Sequence, residues 1–235
     1  MRGPGRCVEV LNYGLTEYRE ALVMQRRLHA ARVAGAIEDT LLLTEHERVI
    51  TLGRNADEGN IRVSSATLDE RGIPVVRVER GGDVTYHGPG QIVAYPIVDL
   101  RAGSIAVRDY IRLLEQSAIL LLECHGIAGE RRSGTPGVWA EGRKIASVGV
   151  YVSRWVTMHG IAINLATDLA DFELIHPCGL AGLVMTSVAE ISGQAPSVRD
   201  ATLEYARCFA QLFGFRMSEA ATAPAAIAAA GHESA

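Results

Sequence analysis

Short runs of apolar and β-branched residues separated by polar turns dominate the first hundred positions. Val8 to Leu11 reads as a first strand, Thr40-Leu41-Leu42-Leu43-Thr44 and Val49-Ile50-Thr51-Leu52 as the next two, and Val75 to Val78 and Gln91 to Val98 as two more. The stretch from about Thr16 to Val33 predicts a helix between the first pair. Tyr110, Leu113, Leu114, Ser117 and Leu121 then put an apolar stripe on a second helix. Lys144 to Val152 and His159 to Leu165 return to strand patterning. A last helix starts at Ser197, which with Asp200 makes a capping box with Asp in place of Glu; Leu203, Ala206, Ala210 and Phe213 mark its buried face. Strands in succession, with two or three helices to pack on one face, predict an α+β domain rather than a regular βαβ repeat.

Length and composition sharpen that picture. A chain of 235 residues with 48% hydrophobic content has ample material for a core. We read one catalytic domain over residues 1–217, followed by an Ala-rich tail from Ser218 to Ala235 that lacks large apolar groups and is expected to be disordered. No run of about eighteen apolar residues occurs, and Met1-Arg2-Gly3-Pro4-Gly5 lacks the apolar segment of a secretory signal. A soluble, cytoplasmic protein without a membrane partner is expected. A net charge of -4 and a pI near 6.0 argue against bulk nucleic-acid binding. Cys7, Cys124, Cys178 and Cys208 form no Cys-x-x-Cys pair, so neither a metal site nor a disulfide framework is expected. Cys124 and Cys208 fall in predicted helices as small buried hydrophobes, and Cys7 opens a strand.

Cys178 is different. It stands in His176-Pro177-Cys178-Gly179-Leu180, between a proline that fixes φ and a glycine that permits positive φ, which predicts a tight turn with an approachable sulfur. A free thiol is only a few per cent thiolate at neutral pH, so a nucleophile here needs a base or a nearby positive charge. Lys144, in Gly142-Arg143-Lys144-Ile145-Ala146-Ser147, can supply either. An ammonium ~4 Å from a thiolate is worth roughly 4 kcal/mol at an effective dielectric of ~20. Arg80 to Gln91 holds four glycines and a proline in twelve residues, which a plain strand does not tolerate. Glycines at that density let backbone approach a ligand, and Thr85, Tyr86, His87 and Gln91 can donate hydrogen bonds to it, so the segment reads as a binding wall or, more plainly, a long irregular turn. Neither a G-x-G-x-x-G nor a G-x-x-x-x-G-K-[ST] pattern fits it.

These segments together resemble the lipoyl(octanoyl) transferases. The resemblance runs from about Glu9 to Gly214. It is carried by Arg80 to Gln91 with Tyr95-Pro96 and Asp99-Leu100, by Gly137-Val138-Trp139, Gly142 to Gly149 and Ser153-Arg154, and by His159 to Asn164 and Pro177-Cys178-Gly179 with Thr186-Ser187. It implies a bent mixed β-sheet flanked by helices, similar to the catalytic domain of biotin and lipoate protein ligases. It implies transfer of an octanoyl group from octanoyl-acyl-carrier-protein to a lysine on lipoyl domains of oxoacid dehydrogenase complexes and on the glycine-cleavage H protein, with no cofactor. By the same resemblance Cys178 forms an acyl-thioester, Lys144 tunes the thiol, and the octanoyl chain contacts Arg80, Gly81, Gly82, Asp83, Val84, Thr85, Tyr86 and His87, then Ser147, Val148 and Gly149, then Gly160, Ile161 and Ala162. Asp83 stands where the resemblance leads one to expect Gln or Lys, and Glu47 follows His46 where a proline is common. Backbone amides near the Pro-Cys-Gly turn can stabilise the oxyanion. His87 and His159 read as shape or hydrogen-bonding residues.

Two other readings compete. An ATP-dependent ligase on the same fold uses a comparable lysine but has no need of Cys178. A non-catalytic acyl-binding module would use Cys178 only as lining. Arg131, Arg132 and Arg154 read as a solvated face, or as charges that meet an acidic carrier or lipoyl domain.

Overall fold

In the computed structural model, which describes residues 6–219, the chain runs β1 (Cys7–Thr16), α1 (Tyr18–Val33), β2 (Asp39–His46), β3 (Val49–Leu52), α2 (Ser65–Glu70), β4 (Val75–Arg77), β5 (Val84–His87), β6 (Gln91–Ile97), α3 (Val107–Cys124), β7 (Glu130–Arg132), β8 (Thr135–Ala140), β9 (Arg143–Ser153), β10 (Val156–Asn164), α4 (Val188–Ser192), α5 (Val198–Phe213) and β11 (Arg216–Glu219). Eight strands form one mixed sheet in the order β11-β1-β2-β6-β10-β9-β8-β7, and β4-β3-β5 form a second. The pairs β11/β1 and β1/β2 are parallel; from β2 through β6, β10, β9 and β8 to β7 every pair is antiparallel.

Period-two patterning sorts side chains onto the two faces of the large sheet. Leu41, Leu43, Ile92, Ala94, Ile161 and Ile163 meet α3 and α5 on one face, while Leu42, Val93, Tyr95 and Ala162 meet Leu28 of α1 on the other. Helices therefore cover both faces, not one as the sequence order suggested, because the central strands are apolar at successive positions and leave no face for water. Each of the valine, leucine and isoleucine side chains among these contributes about 1.5–3 kcal/mol on burial. Ser117 Oγ, 3.0 Å from Tyr205 Oη, ties α3 to α5.

Local signals explain the boundaries, with exceptions. Ser197 caps α5 by accepting from Asp200 N–H at 3.1 Å, as its pattern predicts. The buried stripe of α5 is carried by Ala201, Tyr205, Ala206 and Phe209; Leu203, about 200° around from Ala201, stays 40% exposed. Cys208 is buried, but Cys124, at the last turn of α3, is exposed rather than packed. Ser218 and Glu219, assigned to the tail, extend β11 and pair with Glu9 and Val10; the rest of the tail lies outside the described residues. Among the described residues no helix is long and apolar enough to cross a membrane, and no three His, Cys, Asp or Glu side chains gather as a metal site.

Candidate active site

A two-residue turn places Lys144. Glu141 and Gly142 both have positive φ, 50° and 79°, and join β8 to β9 as a tight hairpin. Lys144 is thus the second residue of β9, directly across from Trp139 of β8. Its stem passes under Gly137, where a Cβ would lie 2.6 Å from Lys144 Cε and 2.5 Å from Ala146 O, so only glycine leaves the lysine its path. Gly137 N–H is in turn held by Glu115 of α3, at 3.0 Å, and Glu115 pairs with Arg131.

Cys178 comes from the opposite side, on the short turn Pro177–Gly179. Its own φ is 60° and that of Gly179 is 70°, so the left-handed conformation expected of the glycine extends to the cysteine. Lys144 Nζ lies 3.2 Å from Cys178 Sγ and 3.1 Å from Pro136 O, with the Trp139 ring centroid 5.0 Å away. The lysine is fully buried. Among the described residues no carboxylate is within ion-pair distance of it, so the thiol is the only acid in contact with the ammonium. A buried cation without a counter-charge is costly. A thiolate at Cys178 would offset part of that cost, and the Trp139 ring 5.0 Å away adds a cation–π contact.

Cys178 opens onto a cavity of about 370 Å³ with Lys144 buried behind it, within the roughly 300–1,000 Å³ range of small-molecule pockets. Arg80, Gly81, Gly82, Asp83, Val84, Thr85 and His87 form one wall; Ser147, Val148 and Gly149 with Gly160, Ile161 and Ala162 form another. Leu180 and Gly134 to Pro136 stand at the mouth with Cys178, and buried Tyr18, Tyr95 and His159 close the deep end. The glycine-rich segment is part strand: Val84–His87 pairs with β3, and the glycines flank it. Tyr86 is not in the wall, because strand alternation turns it away to donate to Asp171 at 2.7 Å and pack on Phe172. Gln91 is also turned inward, 2.7 Å from His87 Nδ1 and 2.9 Å from Asn164 Oδ1. The amides of Gly179 and Leu180 are bonded to His176 O and Pro177 O, so those two are not free for an oxyanion.

The deep end is polar, with buried Arg80 beside its tyrosines and histidines and Glu79 3.7 Å from His159. Burial pushes His46 down to about 4 and His87 down to about 3, and lowers His159 as well, while it raises Tyr18 to about 12. His46 is locked between Thr16 O and Tyr95 Oη, at 3.0 and 2.7 Å. His46 and His87 are neutral at physiological pH; His87 lines the cavity and His46 packs behind it against His87 and Tyr18. Arg80 is buried, donating to Thr51 O at 2.7 Å and Thr51 Oγ1 at 2.9 Å. Arg131 and Arg132 are engaged locally, with Glu115 and over the Trp139 ring.

Asn60, Tyr18 and Glu115 belong to this site although the sequence reading did not single them out, and Tyr95, of the Tyr95-Pro96 segment, joins them. Asn60 reaches the Cys178 turn and Asp83. Glu115 was detectable only as a charge at a position of α3 that the helical stripe buries.

Comparison with known proteins agrees with this geometry. A model of the lipoyl protein ligase A/B catalytic domain matches residues 17–210. The chain is 50% identical over 185 residues to an octanoyltransferase of Syntrophobacter fumaroxidans, covering 79% of this chain and 81% of that one. It is 46% identical over 213 residues to an octanoyltransferase of Alkaliphilus metalliredigens, covering 90% and 98%. A bipartite lipoate protein ligase of Thermoplasma acidophilum shares the fold with a TM-score of 0.70 at 14% identity, over 96% of this chain and 89% of the other. The matched span takes in both walls of the cavity, Lys144 and the Cys178 turn, and the chain belongs to the lipoyl protein ligase A/B catalytic domain family, among its octanoyltransferases.

Proposed function

We propose that this chain moves an octanoyl group from octanoyl-acyl-carrier-protein to a lysine of lipoyl domains, in the cytoplasm, through an acyl-thioester on Cys178 with Lys144 as the proton carrier. The observation that carries this reading is Lys144 Nζ 3.2 Å from Cys178 Sγ at the mouth of the cavity. In the first half, the Cys178 thiolate attacks the carrier thioester carbonyl; a new C–S bond forms, the old one breaks, and the carrier leaves as its thiol with a proton from Lys144. In the second half, the acceptor amine attacks the Cys178 thioester. A C–N bond forms, the C–S bond to Cys178 breaks, and the proton shed by nitrogen goes to neutral Lys144. One thioester replaces another at near balance, and the final amide is more stable than either, so ATP is not consumed. An octanoyl tail gains about 0.8 kcal/mol per buried methylene from the apolar walls, about 5 kcal/mol in all.

The relatives at 46–50% identity that are octanoyltransferases support the acyl group. The ligase of shared fold, solved with its E2 lipoyl domain, supports the class of acceptor. Intact-mass spectrometry tests the reading: wild-type protein mixed with octanoyl-acyl-carrier-protein, without ATP, should gain an octanoyl adduct that passes to an added lipoyl domain. Cys178→Ser should lose both while keeping its circular dichroism. Transfer that needs free octanoate and ATP, or binding without transfer, would overturn it in favour of a ligase or an acyl-binding module.

A further inference from the structure

We propose that Asn60 and Asp83 form the seat of the Cys178 turn, and that Asn60 is a positioning residue for the sulfur. The inference rests on the reading of Cys178 as the acyl-carrying nucleophile. Two successive left-handed residues, one of them not glycine, hold that conformation only when their surroundings impose it. The bonds inside the turn, Gly179 N–H to His176 O at 2.9 Å and Leu180 N–H to Pro177 O at 3.1 Å, close it without fixing where it sits.

Asn60 fixes it from two directions. Its carbonyl accepts the His176 N–H at 2.7 Å, and its side-chain amide donates to Asp83 Oδ2 at 2.8 Å. The other Asp83 oxygen accepts the Val84 N–H at 2.6 Å, which ties the pair to β5 and the cavity wall. Gly179 lies flat against these two side chains: a Cβ there would stand 2.4 Å from Asp83 Oδ2 and 3.2 Å from Asn60 Nδ2. The nucleophile turn therefore has two anchors. Downstream, Lys144 N–H donates to Val184 O and Thr186 N–H to Lys144 O, both at 2.9 Å. Upstream, the Asn60–Asp83 pair holds the turn to the wall. Loss of the upstream anchor lets the sulfur change its direction of approach while it stays in contact with the ammonium.

Asn60→Ala deletes the amide and leaves its main-chain bond; Asp83→Ala breaks the same seat from the wall side and decides the matter alone where Asn60→Ala does not fold. Asp83→Asn is the conservative control, because a turned Asn60 amide can offer its oxygen to the new NH2 group. Two rates are measured on each full-length chain: acylation by octanoyl-acyl-carrier-protein and alkylation by iodoacetamide at the same pH. A small electrophile accepts the sulfur from many directions, whereas the carrier thioester accepts it from few. Both alanine variants should acylate about 10- to 100-fold more slowly, with alkylation changed by less than about threefold and most of the acylation recovered in Asp83→Asn. Wild-type acylation in the alanine variants, or an equal fall in both rates, overturns the proposal. Absence of an adduct on the wild type overturns the nucleophile reading itself and the proposal with it.

Discussion

At the scale of single residues, the site depends on a cation kept where little else would tolerate it. Lys144 is fully buried, bonded to one carbonyl and one sulfur, and threaded beneath a glycine with φ of 145°. Gly137→Ala should do by displacement what Lys144→Ala does by deletion: iodoacetamide alkylation of Cys178 at neutral pH should slow at least ~10-fold in each, since both move the ammonium from the sulfur. An unchanged rate in Lys144→Ala would remove its role in activating the thiol. Cys178 and Lys144 stood out in the sequence because a thiol between Pro and Gly has little value for packing. Asn60 did not stand out: an asparagine between Gly59 and Ile61 is ordinary turn composition, and its contacts are with residues 23 and 116 positions away. Tyr86 was misplaced for a different reason. The glycines around it suggested a loop, and only as a strand does every second side chain turn its back on the cavity.

At the scale of elements, patterns local in sequence were legible and pairings distant in sequence were not. Most strands from β2 to β10 were visible where alternation or an apolar run reached four residues; β5, set among glycines, and β8, which begins Thr-Pro-Gly, were not. Of the three-residue strands, β4 was read at Val75 to Val78, whereas β7, Glu130 to Arg132, has no apolar residue to mark it. The side chosen by each helix was hidden, because a sheet apolar on both faces gives the same sequence signal whichever face a helix takes. Caps could be read directly. Ser197→Ala should lower stability by about 1 kcal/mol in urea denaturation, with octanoyl transfer unchanged, since α5 packs on the face away from α1 and touches neither Cys178 nor Lys144. A loss of activity larger than the loss of folded protein would show that α5 does more than support the sheet.

For the molecule as a whole, the buried histidines at and behind the deep end of the cavity should make stability fall in acid, alongside Glu79 and Asp171, whose ion pairs hold them low. His46 and His87 have folded-state values near 4 and 3, below the ordinary 6.5. Below pH 6.5 the unfolded chain takes up protons that the folded chain refuses, so their contribution is whole above pH 6.5 and is lost as pH falls toward 4 and then 3. Melting temperatures measured from pH 7.5 downward should fall through that window, and His87→Gln should fall less steeply than wild type; parallel slopes would show that these rings are not responsible. The stitching of Val184 and Thr186 to the backbone of Lys144 has a consequence of another kind. A thiol made reactive is also a thiol open to oxidation. Here a fluctuation that lifts the whole segment from the Cys178 turn to Thr186 into solvent breaks those same two bonds and, on the proposed role of Lys144, carries an activated sulfur away from its ammonium. The exposed cysteine should then react slowly with peroxide, so oxidation of Cys178 is expected to track the closed chain.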